Sequence, residues 1–258
     1  MCRLKSCLVL KDRVFCPDYD SHQSMLEELG IEDDYLHASK TFVRVEFTPP
    51  DNTKSLIEPL DRWTLEVDQD IVPEWWDEKA DRQRVEEAVE IWRKGHVFTE
   101  GKHSVKAEKV YAYGNAIVTA YNDATVTAYD NTTVKSFGNA IVKAYDNATV
   151  TACDNAIVEA YNRATVEAYG SATVEAYNRA TVEAYGSATV KACDSATVEA
   201  YNSVTVKAHD NAKVYAFDRA IVKACNSATV EAFNSAMVIY PEEKKIIYPA
   251  RWTIETHE

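Results

Sequence analysis

The sequence predicts a mainly β protein, a β-solenoid (parallel β-helix) of octapeptide repeats with a small N-terminal α+β domain. Three observations predict it. A valine recurs every eighth residue from Val110 to Val238, seventeen times in one phase. Around each valine the chain alternates with period two, as a strand with one buried face requires. Four residues after every valine but the last stands only Gly, Asn or Asp, from Gly114 to Asn234. These residue types best tolerate the left-handed backbone of a tight corner.

The repeat unit reads Ala-Thr-Val-Glu-Ala-Tyr-Asn-Arg, as at Ala172 to Arg179. Ala stands two before each valine except at Glu108, Thr132 and Val204, and two after it except at Ser136 and Tyr240. Ala-Val-Ala therefore faces inward, while Thr or Ile and then Glu, Lys or Thr face out. An amphipathic helix needs apolar residues at 3.6 spacing, which the octad does not supply. Asn162 to Tyr177 recurs as Asn178 to Cys193 with only Lys191 and Cys193 changed, the mark of recent tandem duplication.

Two octads per coil give a flat two-sided stack; three give a three-sided prism. Small Ala-Val-Ala faces suit the thin two-sided interior. Charge pairing points the other way: a 24-residue coil stacks Lys135 on Glu159, Lys143 on Glu167 and Glu183 on Lys207, whereas a 16-residue coil stacks mostly like charges. Like charges directly opposite are destabilising, so three sides are favoured over two. Three residues after valine, Tyr dominates, with Phe137, Phe217, Phe233, Cys153, Cys193, Cys225 and His209 as replacements. Interchange with Cys reads as a half-buried packing ladder; the competing reading is an exposed aromatic ridge for a partner.

Residues 1–104 contain no octad and hold four of the five Trp. Strands are expected near Cys2–Leu10, Arg13–Cys16, Thr41–Phe47 and Trp63–Val67. Helices are expected over Ser24–Leu29, stopping at Gly30, and over Asp81–Lys94, stopping at Gly95. The expected organisation is an acidic α+β head over 1–104, the solenoid over 105–238 and a C-terminal cap over 239–258. Head and cap would each cover an open sheet edge.

The net charge is −13, of which −9 belongs to residues 1–104 and only −3 to 105–238. A net −3 over the repeat cannot imitate the charge density of duplex DNA, and the acidic total argues against direct nucleic-acid binding. The acidic surface of the head includes Glu32, Asp33, Asp34, Asp68, Asp70, Glu74, Asp77 and Glu78. Within Val-Pro-Glu-Trp-Trp-Asp-Glu, the pair Trp75-Trp76 is the best single interface candidate, because Trp is enriched in binding hot spots. The interface candidates are therefore Trp75, Trp76, Asp77, Glu78, Asp68 and Asp70. Both Trp packing beneath the second helix is the competing structural explanation. No apolar run approaches the roughly 20 residues of a membrane span, and no secretory signal is recognisable, so a cytoplasmic protein is expected. Six Cys in 258 residues fit reduced thiols.

No phosphate-binding loop, dinucleotide fingerprint, His-Glu-x-x-His or Gly-x-Ser-x-Gly occurs, so no catalytic residues, cofactor or metal are expected. Cys2, Cys7, Cys16 and His22 lack the Cys-x2-Cys spacing of structural zinc. Cys2 directly follows Met1, and Met-Cys resembles the start of N-terminal-nucleophile amidotransferases and of abasic-site-binding SRAP proteins. In those, a free α-amine can act as base for the cysteine. Arg3 departs from the Met-Cys-Gly of the SRAP pattern.

The opening MCRLKS…VLKDRVFCPDYDSH…MLEELGI, followed by DQDIVPEWW and the octads, resembles a set of proteins encoded by phages and prophages of gut bacteria. The resemblance implies origin in a mobile element and an accessory role in the host cytoplasm, and it transfers no catalytic residue. Together with the acidic head, it leads to the expectation of a non-catalytic protein that binds and blocks a host protein. A nucleic-acid-handling defence enzyme is the expected target. A self-assembling scaffold, with the chain as a homo-oligomer, is the first alternative. An N-terminal-cysteine hydrolase or SRAP-like DNA-adduct protein is the second.

Overall fold

The computed structural model describes residues 5–51, 56–243 and 245–248. The chain divides into two units, Met1–Val97 and Phe98–Glu258. The boundary falls ahead of residue 104 because the first strands of the solenoid sheets precede the regular octads: Lys102–Val105 already pairs with Ile117–Ala120.

The N-terminal unit is built on a four-stranded antiparallel sheet in the order β2-β1-β3-β4. The strands are β1 (Ser6–Leu10), β2 (Val14–Phe15), β3 (Phe42–Thr48) and β4 (Thr64–Val67). Among the described residues three α-helices accompany them: α1 (His22–Leu29), α2 (Tyr35–Ala38) and α3 (Glu78–His96). Alternation sends Leu8, Leu10 and Phe42 to one face, where they pack with Met25 and Leu26 of α1. Cys7, Val9, Val43, Val45 and Phe47 are buried on the other face. There Arg82 of α3 lies 5.3 Å over the Phe47 ring. Gly30 ends α1 in the left-handed region at φ 64°, as expected. Gly95 does not end α3, which continues to His96; a helical glycine costs only about 1 kcal/mol, and the packing of Val85, Val89 and Trp92 offsets it.

In the second unit every octad forms a four-residue strand, and the strands build two parallel sheets. Within the octads the register joins residue i to i+16, as in Val118↔Val134 and Val134↔Val150 on one sheet and Val126↔Val142 on the other. The coil is therefore 16 residues and two-sided, which corrects the expectation of three sides. Exposed charge pairs do not set the coil length, because each is worth under about 1 kcal/mol. The stack holds the ion pairs Lys143–Glu159 at 3.0 Å and Lys191–Glu175 at 3.3 Å. It also tolerates Glu159 beside Glu175 and Lys191 beside Lys207. Where glutamates stack, the tyrosine two residues on donates to them: Tyr161 to Glu159 at 2.9 Å, Tyr185 to Glu183 at 2.9 Å and Tyr201 to Glu199 at 2.7 Å.

Ala-Val-Ala forms the interior, fully buried in coil after coil. The corner residues have positive φ throughout, including Asn122, Asp130, Asp146 and Gly114. Their side chains have a second task. Asp130 accepts from the Gly114 N–H at 2.9 Å, Asp194 from Asn178 at 2.9 Å and Asp218 from Asn202 at 3.0 Å. Each such corner thus satisfies a backbone donor one coil below. The rings stack at 4.9–5.1 Å in ladders such as Tyr129–Tyr145–Tyr161–Tyr177 and Tyr169–Tyr185–Tyr201–Phe217–Phe233. Most of these rings are half-buried. At the C-terminal end Lys245–Ile247 adds antiparallel to Met237–Tyr240. Trp252 of the expected cap lies outside the described residues.

Hydrogen bonding to Glu183, together with burial and the glutamate's charge, pushes the Tyr185 hydroxyl up to about 12; Glu199 does the same to Tyr201. A tyrosine whose folded pKa lies above its unfolded value of about 10 stabilises the fold fully below pH ~10. That contribution is lost as pH rises towards 12. Ultraviolet titration is expected to show ladder tyrosines ionising above the ordinary range, with stability falling over this window. Tyr185→Phe/Tyr201→Phe should flatten the fall, and an unchanged profile would contradict the assignment.

Among the described residues no helix is long and apolar enough to cross a membrane.

Candidate interaction site

The N-terminal unit carries an open cleft of about 600 Å³. Its walls come from three places. The turn before α2 brings Asp33 and Asp34, β3 brings Arg44, and the segment leaving β4 brings Asp68, Gln69 and Asp70. The segment after β4 is pinned by Gln69. Its Oε1 accepts from the Arg44 N–H at 2.8 Å, and its Nε2 donates to the Ile71 and Phe42 carbonyls at 2.6 and 3.2 Å. Asp33 pairs with the Arg44 guanidinium. Asp34 caps α2, accepting from the His37 N–H at 2.8 Å; that bond and the His37 ring hold its carboxyl below the usual range. Asp68 and Asp70 are exposed.

The other interface candidates separate. Trp75 is half-buried, lines an adjoining cavity of about 480 Å³ with Lys40, Val72 and Glu74, and donates from Nε1 to the Lys40 carbonyl at 2.8 Å. Trp76 is also half-buried. Asp77 is the N-cap of α3, accepting from the Lys79 and Ala80 N–H groups at 3.0 Å, so its carboxylate serves the helix. Glu78 is exposed in the first turn, where the helix dipole favours it. The cleft thus joins Asp68 and Asp70 to Asp33 and Asp34, while Trp75 stands beside it. Sequence reasoning missed Arg44 and Gln69, which had no local signal because the contacts that bring them to the cleft, Arg44 with Asp33 and Gln69 with Arg44 and Phe42, span 11 to 27 residues.

Two thiols face each other across β1 and β2: Cys7 and Cys16 have their Sγ atoms 3.0 Å apart. Burial pushes the Cys7 thiol well up, whereas the Cys7 hydrogen bond and the Lys5 ammonium lower that of Cys16. Thiol reagents near pH 8 are expected to label Cys16 before Cys7, read by peptide mass spectrometry. Equal labelling rates in the folded protein would contradict this. Cys2, the basis of the N-terminal-nucleophile alternative, lies outside the described residues.

Fold and cleft define a two-sided β-solenoid protein whose N-terminal α+β unit presents an acidic, tryptophan-flanked cleft. Comparison of the chain with protein families, with curated proteins and with solved structures finds no match.

Proposed function

We propose that this chain is a non-catalytic interaction protein whose N-terminal unit binds and blocks a host protein with a basic surface, a nucleic-acid-handling defence enzyme being the target class. The supporting observation is the convergence of Asp33, Asp34, Asp68 and Asp70 on one open cleft containing a single guanidinium. Such a cleft focuses negative potential and steers a cationic partner. Trp75 at its flank supplies the aromatic area that anchors hot spots. The resemblance of the opening to phage and prophage proteins agrees with a host target. The test is capture from a host lysate on the tagged full-length chain at two salt concentrations. One stoichiometric protein retained at low salt and lost at high salt is expected. Retention that ignores salt rejects the acidic cleft as the binding face.

A second reading, a self-assembling scaffold, is favoured by one strand edge. Thr229–Ala232 ends its sheet, pairing among the described residues only with Lys213–Ala216. A strand from a second copy adding there would continue the ladder. Light scattering across a concentration series separates the readings, since assembly increases mass without any partner.

A further inference from the structure

We propose that the N-terminal unit binds one divalent first-row transition-metal ion through His22, Glu46 and Asp68. His22 opens α1, Glu46 lies on β3 and Asp68 follows β4, so three separate elements converge. The ligand atoms of the three residues all lie within 4.8 Å of one another.

The imidazole carries the argument. His22 is only 5% exposed. Its Nε2 lies 3.2 Å from the Val45 carbonyl, which can only accept, so Nε2 bears the proton. That leaves Nδ1 aimed at the carboxylates, 3.3 Å from Asp68 Oδ2 and 3.8 Å from Glu46 Oε1. Nδ1 is buried and has no hydrogen-bond partner. A bare nitrogen lone pair 3.3 Å from the Asp68 oxygen is repulsive unless a proton or a metal ion sits between them. The separations are longer than a direct charge-assisted hydrogen bond of about 2.8 Å. They are close to the spacing of ligands that share one ion at about 2.0–2.2 Å.

The surroundings fit the same role. The bond from Nε2 to a backbone carbonyl fixes tautomer and ring orientation, as metal-ligating histidines usually require. Glu46 is 5% exposed, and Ser6 Oγ donates to its carboxylate, 3.1 and 3.2 Å from its two oxygens. Asp68 has 61% of its side chain exposed, which leaves the remaining coordination positions facing solvent. One imidazole with two carboxylates suits Zn²⁺, Co²⁺, Mn²⁺ or Fe²⁺; a site for Mg²⁺ or Ca²⁺ is normally all oxygen. The rival occupant of Nδ1 is a second proton, giving an imidazolium paired with the two carboxylates.

The test is calorimetric titration of the chelator-treated full chain with Zn²⁺, alongside the visible spectrum with Co²⁺. One equivalent bound per chain is expected, with cobalt bands that Zn²⁺ abolishes. His22→Gln and Asp68→Asn should each weaken binding by about ten-fold or more. Asp68 is largely exposed, so its variant decides the matter should His22→Gln fail to fold by circular dichroism. Absence of one-equivalent binding, or unchanged affinity in Asp68→Asn, overturns the proposal and leaves the imidazolium pair.

Discussion

Val174→Asp is expected to break the solenoid at its middle, lowering stability by about 3–5 kcal/mol through an uncompensated buried charge. Val174 is fully buried between Ala172 and Ala176, and it stacks on Val158 and Val190. These neighbours offer an aspartate apolar side chains only. The damage should spread along the stack, because each coil is stabilised chiefly by the coils beside it. The outward-facing Thr181→Ser, in the next octad on the other sheet, should stay within about 0.5 kcal/mol. Guanidinium denaturation with limited proteolysis is the check: Val174→Asp should expose new cleavage around residues 158–190. A variant as resistant as the parent would mean that Val174 is not interior.

Gly114→Val should cost about 2–4 kcal/mol, although the position is a surface corner. Two effects add there. Gly114 has φ +59°, which a β-branched side chain strongly resists, and a Cβ would stand 2.8 Å from the Thr99 carbonyl oxygen. Gly186 makes a useful contrast. Its φ is +71° and its nearest neighbour to a Cβ, the Gly170 oxygen, stands at 3.1 Å. Asn already holds the equivalent left-handed corner at Asn178 and Asn202. Gly186→Asn should therefore cost under about 1 kcal/mol. Equal losses from the two substitutions, measured by chemical denaturation, would refute the close approach at Gly114.

The solenoid was legible because its signals are local and repeated: an inward Ala-Val-Ala and a corner restricted to three residue types. The number of sides is not legible in the exposed charge column. Exposed Glu and Lys carry little energy, whereas stacked half-buried rings carry more. Nine Tyr/Phe pairs stack in the 16-residue coil. A 24-residue coil would bring only six such pairs together. The corner Asp and Asn residues were read for their backbone tolerance alone, yet the hydrogen bond from Gly114 to Asp130 shows the i+16 spacing directly.

In the N-terminal unit the four strands and two longer helices were visible from alternation and from Gly30. The short α2 was not, since its four residues are held by the Asp34 cap rather than by an apolar stripe. The acidic cleft was half visible. Asp68 and Asp70 were singled out together, and Asp33 and Asp34 appeared as a charge run. Their meeting depends on the pairing of β3 with β4 and on Gln69, which no spacing in the chain encodes. The convergence of His22, Glu46 and Asp68 is hidden for the same reason.

The most direct measurement of the proposed binding role is a charge reversal at the cleft. Asp70→Lys/Glu74→Lys alters one exposed side chain of the cleft and one of the cavity that Trp75 lines, and it leaves the caps, the Arg44 pair and the three proposed metal ligands in place. Parent and variant would be compared by capture from a host lysate and native mass spectrometry. The parent should hold one partner at fixed stoichiometry, and the variant, folded by circular dichroism, should lose it. A partner held equally by both, or mass accounted for by the chain alone, would contradict binding through the acidic cleft.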